Sequence, residues 1–180
     1  MNDDIQNDTL QKAIVIGASA GALQALSTIL PFLPENYPFP VMIVVHLPSE
    51  KKSLIAELMQ LRCKIKVIEA EDKIPLRAGT VYFVPADYHM LVEKSGHLSL
   101  SAEEPVFFSR PSIDLLFETA ADAFGKNLVA IVLTGANSDG AKGSKQIQDM
   151  GGAVIVQNPV HARAKAMPEA TPKTFERAQK

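Results

Sequence analysis

The chain of 180 residues contains one cysteine, Cys63. A disulfide framework and a cysteine-based zinc site are therefore both excluded. No cluster of Lys and Arg occurs, and the formal net charge is -2. Nothing in that balance draws the chain to nucleic acid or to an acidic membrane surface. No apolar run approaches the length of a membrane span, so direct membrane insertion is not expected. The opening MNDDIQNDTLQK has neither a basic n-region nor an apolar h-region and is not a signal peptide. A reducing, cytoplasmic setting is the natural reading. Internal repeats, low-complexity tracts and interdomain linkers are also missing. The sequence calls for no cofactor and no metal.

What is present is a core. Apolar residues make up 47% of the chain, enough for a single domain to fold around a full interior. Residues 1–11 read as a flexible lead and residues 12–180 as one domain. AIVIG, PVMIVVH, KIKVIEA, GTVYFVPA, LVAIVLTG and GAVIVQ read as short strands, rich in β-branched residues. ALQALSTILPFL, SEKKSLIAELMQLR, SIDLLFETAADAFG and SDGAKGSKQIQDMG read as helices. The first should stop near Pro31 and Pro34, the second be capped by Ser49, and the third run from a Ser112 cap to Gly125. HMLVEKSGHLSL reads as a hairpin turning at Ser95-Gly96, and the end of the chain as a polar helical tail. Strand and helix alternate, and uniformly apolar strands imply burial on both faces. The fold class is therefore α/β, a three-layer α/β/α sandwich with a mainly parallel, doubly wound sheet and a small antiparallel hairpin.

In such sheets ligands bind beyond the carboxyl ends of the strands. That rule selects Ser19 after the first strand, His46 at the end of the second, and Asp139 in the ANSDG segment after LVAIVLTG. A hydroxyl, an imidazole and a carboxylate on one edge are the groups of a nucleophile, a general base and its orienting acid. Each also has a plainer role: Ser19 and Asp139 as helix caps, His46 as a hydrogen-bonded edge residue. His89 and His97 fall in the hairpin and His161 in the tail, so they fit the edge less well.

Gly17-Ala18-Ser19-Ala20-Gly21 matches G-x-S-x-G in a strand–turn–helix setting. The α/β-hydrolase order is serine, acid, histidine, whereas here it is serine, histidine, acid. A phosphate cradle is the rival reading of the same turn. The segment is neither G-x-G-x-x-G nor a Walker A loop, and the second strand ends in His46 rather than an acidic ribose partner.

IGASAG, VVHLPSE, GTVYFVPADYHM, SRPSIDLLFETAADAFG, VAIVLTGANSDGAKG and AMPEA together resemble the catalytic domain of the chemotaxis receptor methylesterases, the CheB type. The resemblance runs in order from about Ala13 to about Ala170. It implies a serine esterase that removes methyl esters from glutamate side chains on the cytoplasmic helices of methylated chemoreceptors, and that also deamidates certain glutamines. By motif, Ser19 is the nucleophile, His46 the base, Asp139 the orienting acid, and Ala136 a backbone donor to the oxyanion, with Ala20 beside it. No receiver domain is expected within the chain, which leaves it constitutive, controlled by a separate regulatory protein, or a piece of a longer protein.

The chain departs from the family at several positions. Ala20 replaces a threonine whose hydroxyl lies beside the nucleophile. Ala136 replaces a methionine but keeps its N–H. Asn137 replaces a glycine and would restrict the loop if that position needed a positive φ. Arg163 and Lys165 bring cations to the tail motif. These changes leave two alternatives beside the receptor esterase: a catalytically weakened relative that serves as a binding module in a signalling array, and an esterase for a different ester.

Overall fold

A computed structural model describes residues 12–47, 54–106 and 110–171. The lead 1–11 and the Ser49 cap lie outside these residues. Eight strands occur among them: β1 Ala13–Ala18, β2 Val41–Val45, β3 Lys66–Glu69, β4 Thr80–Phe83, β5 His89–Val92, β6 Leu98–Ser101, β7 Leu128–Val132 and β8 Ala153–Val156. The α-helices are α1 Ala22–Ile29, α2 Ile55–Gln60, α3 Ile113–Phe124, α4 Ala141–Asp149 and α5 Ala166–Ala170.

Six strands form one sheet in the order β3-β4-β2-β1-β7-β8, and every pairing in it is parallel. The hairpin β5–β6 is a separate antiparallel pair. The apolar pattern explains the strand order. Every residue of β2 and β4 is buried, as interior strands require. At one edge, β3 buries Val67 and exposes Lys66 and Glu69; at the other, β8 leaves Ile155 half exposed.

Successive residues of a strand point to opposite faces, so the sheet sorts its side chains into two cores. Val15, Met42 and Val44 pack with Leu116 and Phe117 of α3 and Ile147 of α4. Ile16, Ile43 and Val45 pack with Leu26 of α1 and Ile55 and Met59 of α2. The helices that follow β1 and β7 thus cover opposite faces, although these strands are neighbours. The crevice between their carboxyl ends is the switch point where an open α/β sheet binds ligands.

Local chemistry sets most boundaries. Ser112 Oγ accepts the Leu115 N–H and starts α3, and the Gly125 N–H donates to Ala121 O at its end. The first predicted helix is shorter than its apolar spacing suggests. The α-helix ends at Ile29, and Leu30–Phe32 tightens into a 3₁₀ turn that accommodates Pro31. α2 is confined to six residues. In the tail, α5 is the one α-helix among the described residues, preceded by a 3₁₀ turn at Pro159–His161.

Candidate active site

Ser19 follows directly on β1. Its N–H donates to Thr134 O at 2.9 Å and its C=O accepts from Ala22 N–H at 2.9 Å, so both sides of its backbone are pinned. The cap of α1 is Gly21, with φ 87° and no side-chain hydrogen bond. Ser19 is therefore not a helix cap. Glycine at position 21 permits the reversal into α1 and the approach of Arg163, whose Cβ lies 2.9 Å from where a Gly21 Cβ would stand. The Ser19 hydroxyl makes no hydrogen bond among the described residues and is left free.

His46 continues the β1–β2 pairing beyond the strand, its N–H donating to Ala18 O at 3.1 Å. That bond sets the imidazole beside the Ser19 turn. Its Nε2 lies 2.8 Å from Asp139 Oδ2. An ionised carboxylate only accepts, so Nε2 carries the proton and Nδ1 of the neutral ring presents its lone pair. Asn137 Nδ2 donates to Nδ1 at 3.4 Å.

Asp139 is 0% exposed. Besides His46 it accepts the N–H groups of Ile113 at 2.7 Å and Asp114 at 2.8 Å, and more distantly the Ser112 hydroxyl at 3.4 Å. These are the first-turn amides of α3, which has no intrahelical partner for them. Burial pushes the Asp139 carboxyl upward, but the hydrogen bonds from His46, Ile113 and Asp114 outweigh it and hold the group below its ordinary value. The residue is thus a helix cap as the plainer reading had it, but of α3 rather than of its own helix.

The cap of α4 comes from α3 in return. Asp114 Oδ1 accepts the N–H groups of Gly140 at 3.0 Å and Gly143 at 2.7 Å. Burial raises its carboxyl to about 6; the Gly143 N–H works against that rise, and the charges of Asp139 and Glu118 add to it. Sequence reasoning did not find Asp114, because an acid in the first turn of a helix reads as a partner of its own dipole. It also passed over His89. That buried ring accepts the Ser112 N–H on Nδ1 at 3.0 Å and donates from Nε2 to Glu104 O at 3.0 Å, tying the hairpin to the start of α3.

Ala20 and Ala136 flank the crevice, and the backbone N–H of each has no partner among the described residues. The loops that carry them are fastened together. Thr134 Oγ1 donates to Ala20 O at 2.7 Å, Gly135 N–H to Ala164 O at 3.1 Å, and Met167 N–H to Gly135 O at 3.0 Å. Asn137 has no positive φ, so the loop restriction expected there does not arise. Ser19, Ala20 and His46 line a cleft of about 770 Å³ together with Arg163. Its apolar wall includes Leu23, Leu54 and Leu58, which are 50%, 57% and 47% exposed. Among the described residues no helix is long and apolar enough to cross a membrane.

Fold and site together define a three-layer α/β protein with a serine, an imidazole and a buried carboxylate at one sheet edge. A family model described as CheB methylesterase matches residues 14–177. A Leptospira interrogans protein, provisionally named protein-glutamate methylesterase/protein-glutamine glutaminase, is 45% identical over 159 residues, which cover 88% of this chain and 82% of that one. The protein-glutamate methylesterase/protein-glutamine glutaminase of Hydrogenovibrio crunogenus is 39% identical over 150 residues, covering 82% of this chain and 40% of its own length. The crystal structure of the Thermotoga maritima CheB methylesterase catalytic domain superposes with a TM-score of 0.84 at 31% identity, covering 88% of this chain and 86% of that chain. The chain belongs to the CheB methylesterase family, a family of ester hydrolases.

Proposed function

We propose that this chain is a protein-glutamate methylesterase with protein-glutamine glutaminase activity, acting on the cytoplasmic helices of methylated chemoreceptors. The observation that carries the reading is the 2.8 Å bond between His46 Nε2 and the buried Asp139 carboxylate, beside the free hydroxyl of Ser19. Asp139 fixes the tautomer and stabilises the cation that forms when Nδ1 takes a proton. Ser19 Oγ attacks the ester carbonyl and passes its proton to His46 Nδ1. The tetrahedral oxyanion is met by the N–H groups of Ala20 and Ala136. His46 returns the proton to the departing methoxide, methanol leaves, and water activated by the same imidazole hydrolyses the glutamyl-enzyme. The exposed apolar wall of Leu23, Leu54 and Leu58 supports a substrate presented on the surface of a helix. The proposal assigns the catalytic unit to residues 12–180 and its site of action to the cytoplasm.

The test is methanol release from methyl-labelled receptor fragments by the wild type and by Ser19→Ala. The wild type is expected to release methanol and the variant to fall to background; equal release by both ends the esterase reading. A second reading, a weakened relative that only binds signalling partners, is favoured by the absence of a bond from the Ser19 hydroxyl to His46. Catalytic hydrogen bonds often tighten only with substrate in place, so the same experiment decides between the two.

A further inference from the structure

Asn137, in the loop between β7 and α4, touches with its side chain both the base and the chain segment of its acid. Its Oδ1 accepts the Asp139 backbone N–H at 3.1 Å. Only the carbonyl end of an amide can accept that N–H, so the orientation of the side chain is settled and Nδ2 faces His46. There Nδ2 donates to Nδ1 at 3.4 Å, a long and weak bond. The second N–H of the same amide has no partner among the described residues.

Nδ1 is the nitrogen that must receive the Ser19 proton, because Nε2–H is committed to Asp139. When substrate binds, the serine hydroxyl has to take the place on Nδ1 that the amide holds. The displaced amide stays anchored through Oδ1, in the same loop as Ala136 and next to it in the chain. We propose that Asn137 is a catalytic residue whose side-chain amide donates to the carbonyl oxygen of the ester as it becomes an oxyanion, resting on His46 Nδ1 when the site is empty. The inference rests on Ser19 as nucleophile. In the step itself the Ser19 Oγ–carbon bond forms, the proton moves to Nδ1, and the carbonyl π pair moves onto the oxygen that Asn137 and the two backbone N–H groups meet. A neutral donor already anchored through Oδ1 needs little reorganisation at that moment, which is where such groups act most strongly. The alternative, a plug that merely blocks the base, fits poorly with so long a bond and with an anchor on Asp139 that does not depend on His46.

The full chain is assayed with a neutral chromogenic acetate ester and with a fluorophosphonate that labels reactive serines, using Ser19→Ala as the blank. Asn137→Asp keeps an acceptor for the Asp139 N–H, and so the loop, but cannot donate when ionised. Asn137→Ala removes the donor without adding charge, and Asn137→Gln keeps a donor on a longer stem. The expected result is a fall in kcat on the order of 10²-fold for Asn137→Asp and Asn137→Ala, with KM changed less than about threefold and part of the rate retained by Asn137→Gln. Thermal melts matching the wild type set aside misfolding. An Asn137→Ala enzyme with kcat within about threefold of wild type, or above it, overturns the inference while Ser19 labelling leaves the nucleophile in place. If the wild type neither hydrolyses the ester nor labels above the Ser19→Ala blank, the nucleophile reading falls and this one with it.

Discussion

Asp114 and Asp139 cap each other's helices. Asp139, in the loop that leads into α4, accepts the first amides of α3, while Asp114, in α3, accepts the amides of Gly140 and Gly143 at the start of α4. Two buried carboxylates thereby satisfy four N–H groups that the helices cannot satisfy themselves. The carboxylate that faces His46 is held by this exchange rather than by its own loop alone.

The first prediction concerns Asp139. Asp139→Ala strands the Ile113 and Asp114 amides in a buried place, where each unpaired group costs about 1–3 kcal/mol. A net loss of about 3 kcal/mol lowers the melting temperature by roughly 6–12 °C in a chain of this size. Asp139→Asn keeps an acceptor and the volume, so it melts closer to wild type, yet esterase activity falls about 10⁴-fold because the imidazole tautomer is no longer fixed. Calorimetry and methanol release measure the two effects; an Asp139→Ala protein that melts with the wild type sinks the capping account.

Asp114 should give stability a pH dependence of unusual sign. Its carboxyl titrates at about 6 in the folded chain against 3.8 ordinarily. Between those values the folded state keeps a proton that the unfolded state has released, so stability falls as pH rises from about 4 to about 6 and then levels off. Asp139, held below its ordinary value, works in the opposite direction at lower pH, its contribution being lost as pH falls below about 4. Asp114→Asn retains an acceptor for Gly140 and Gly143 and should flatten the curve between pH 4 and 6. Urea unfolding across that range reads the difference; a variant with the wild-type slope assigns the dependence elsewhere.

Gly143→Ala sets helix propensity against space. Alanine in a helix interior is favoured over glycine by up to about 1 kcal/mol. A Cβ at this position would stand 2.5 Å from Phe117 Cβ and 3.1 Å from Asp114 O, neither of them the loose end of a side chain. Overpacking of that kind costs about 1–3 kcal/mol, and the shift it forces weakens the Asp114 cap as well. The variant should lose about 1–2 kcal/mol in denaturant unfolding, against the gain that propensity alone predicts.

His89→Ala removes the partner of both Ser112 N–H and Glu104 O. The loss should fall at the start of α3, where Ser112 and Ile113 exchange their amide hydrogens markedly faster while the central strands keep their protection. Uniform loss of protection would mean that the ring only fills the core.

Much of the fold could be read directly. The uniform apolar runs of β1, β2 and β7 announced a buried parallel sheet, and their carboxyl ends pointed to Ser19, His46 and Asp139. Ser112 and Gly125 were legible because a cap and a stop depend on neighbours within a few residues. Partners made across the fold were not. Ser19 and Asp139 both looked like caps for the helices that follow them, yet α1 starts on Gly21 and α4 takes its cap from Asp114. Asn137 read as a constraint on the backbone, whereas its side chain reaches both His46 and the Asp139 N–H.

The order of the sheet also governs when the site can exist. His46 and Asp139 are 93 residues apart in the chain, and β1 stands between the strands that deliver them. Asp139 is further oriented by the first turn of α3, which is itself fastened to the hairpin. A chain still emerging during synthesis, with β1 and β2 already paired, holds Ser19 and His46 together but has no acid behind the imidazole. The His46–Asp139 pair therefore forms only once β7 docks beside β1 and brings the buried carboxylate to the edge of the sheet.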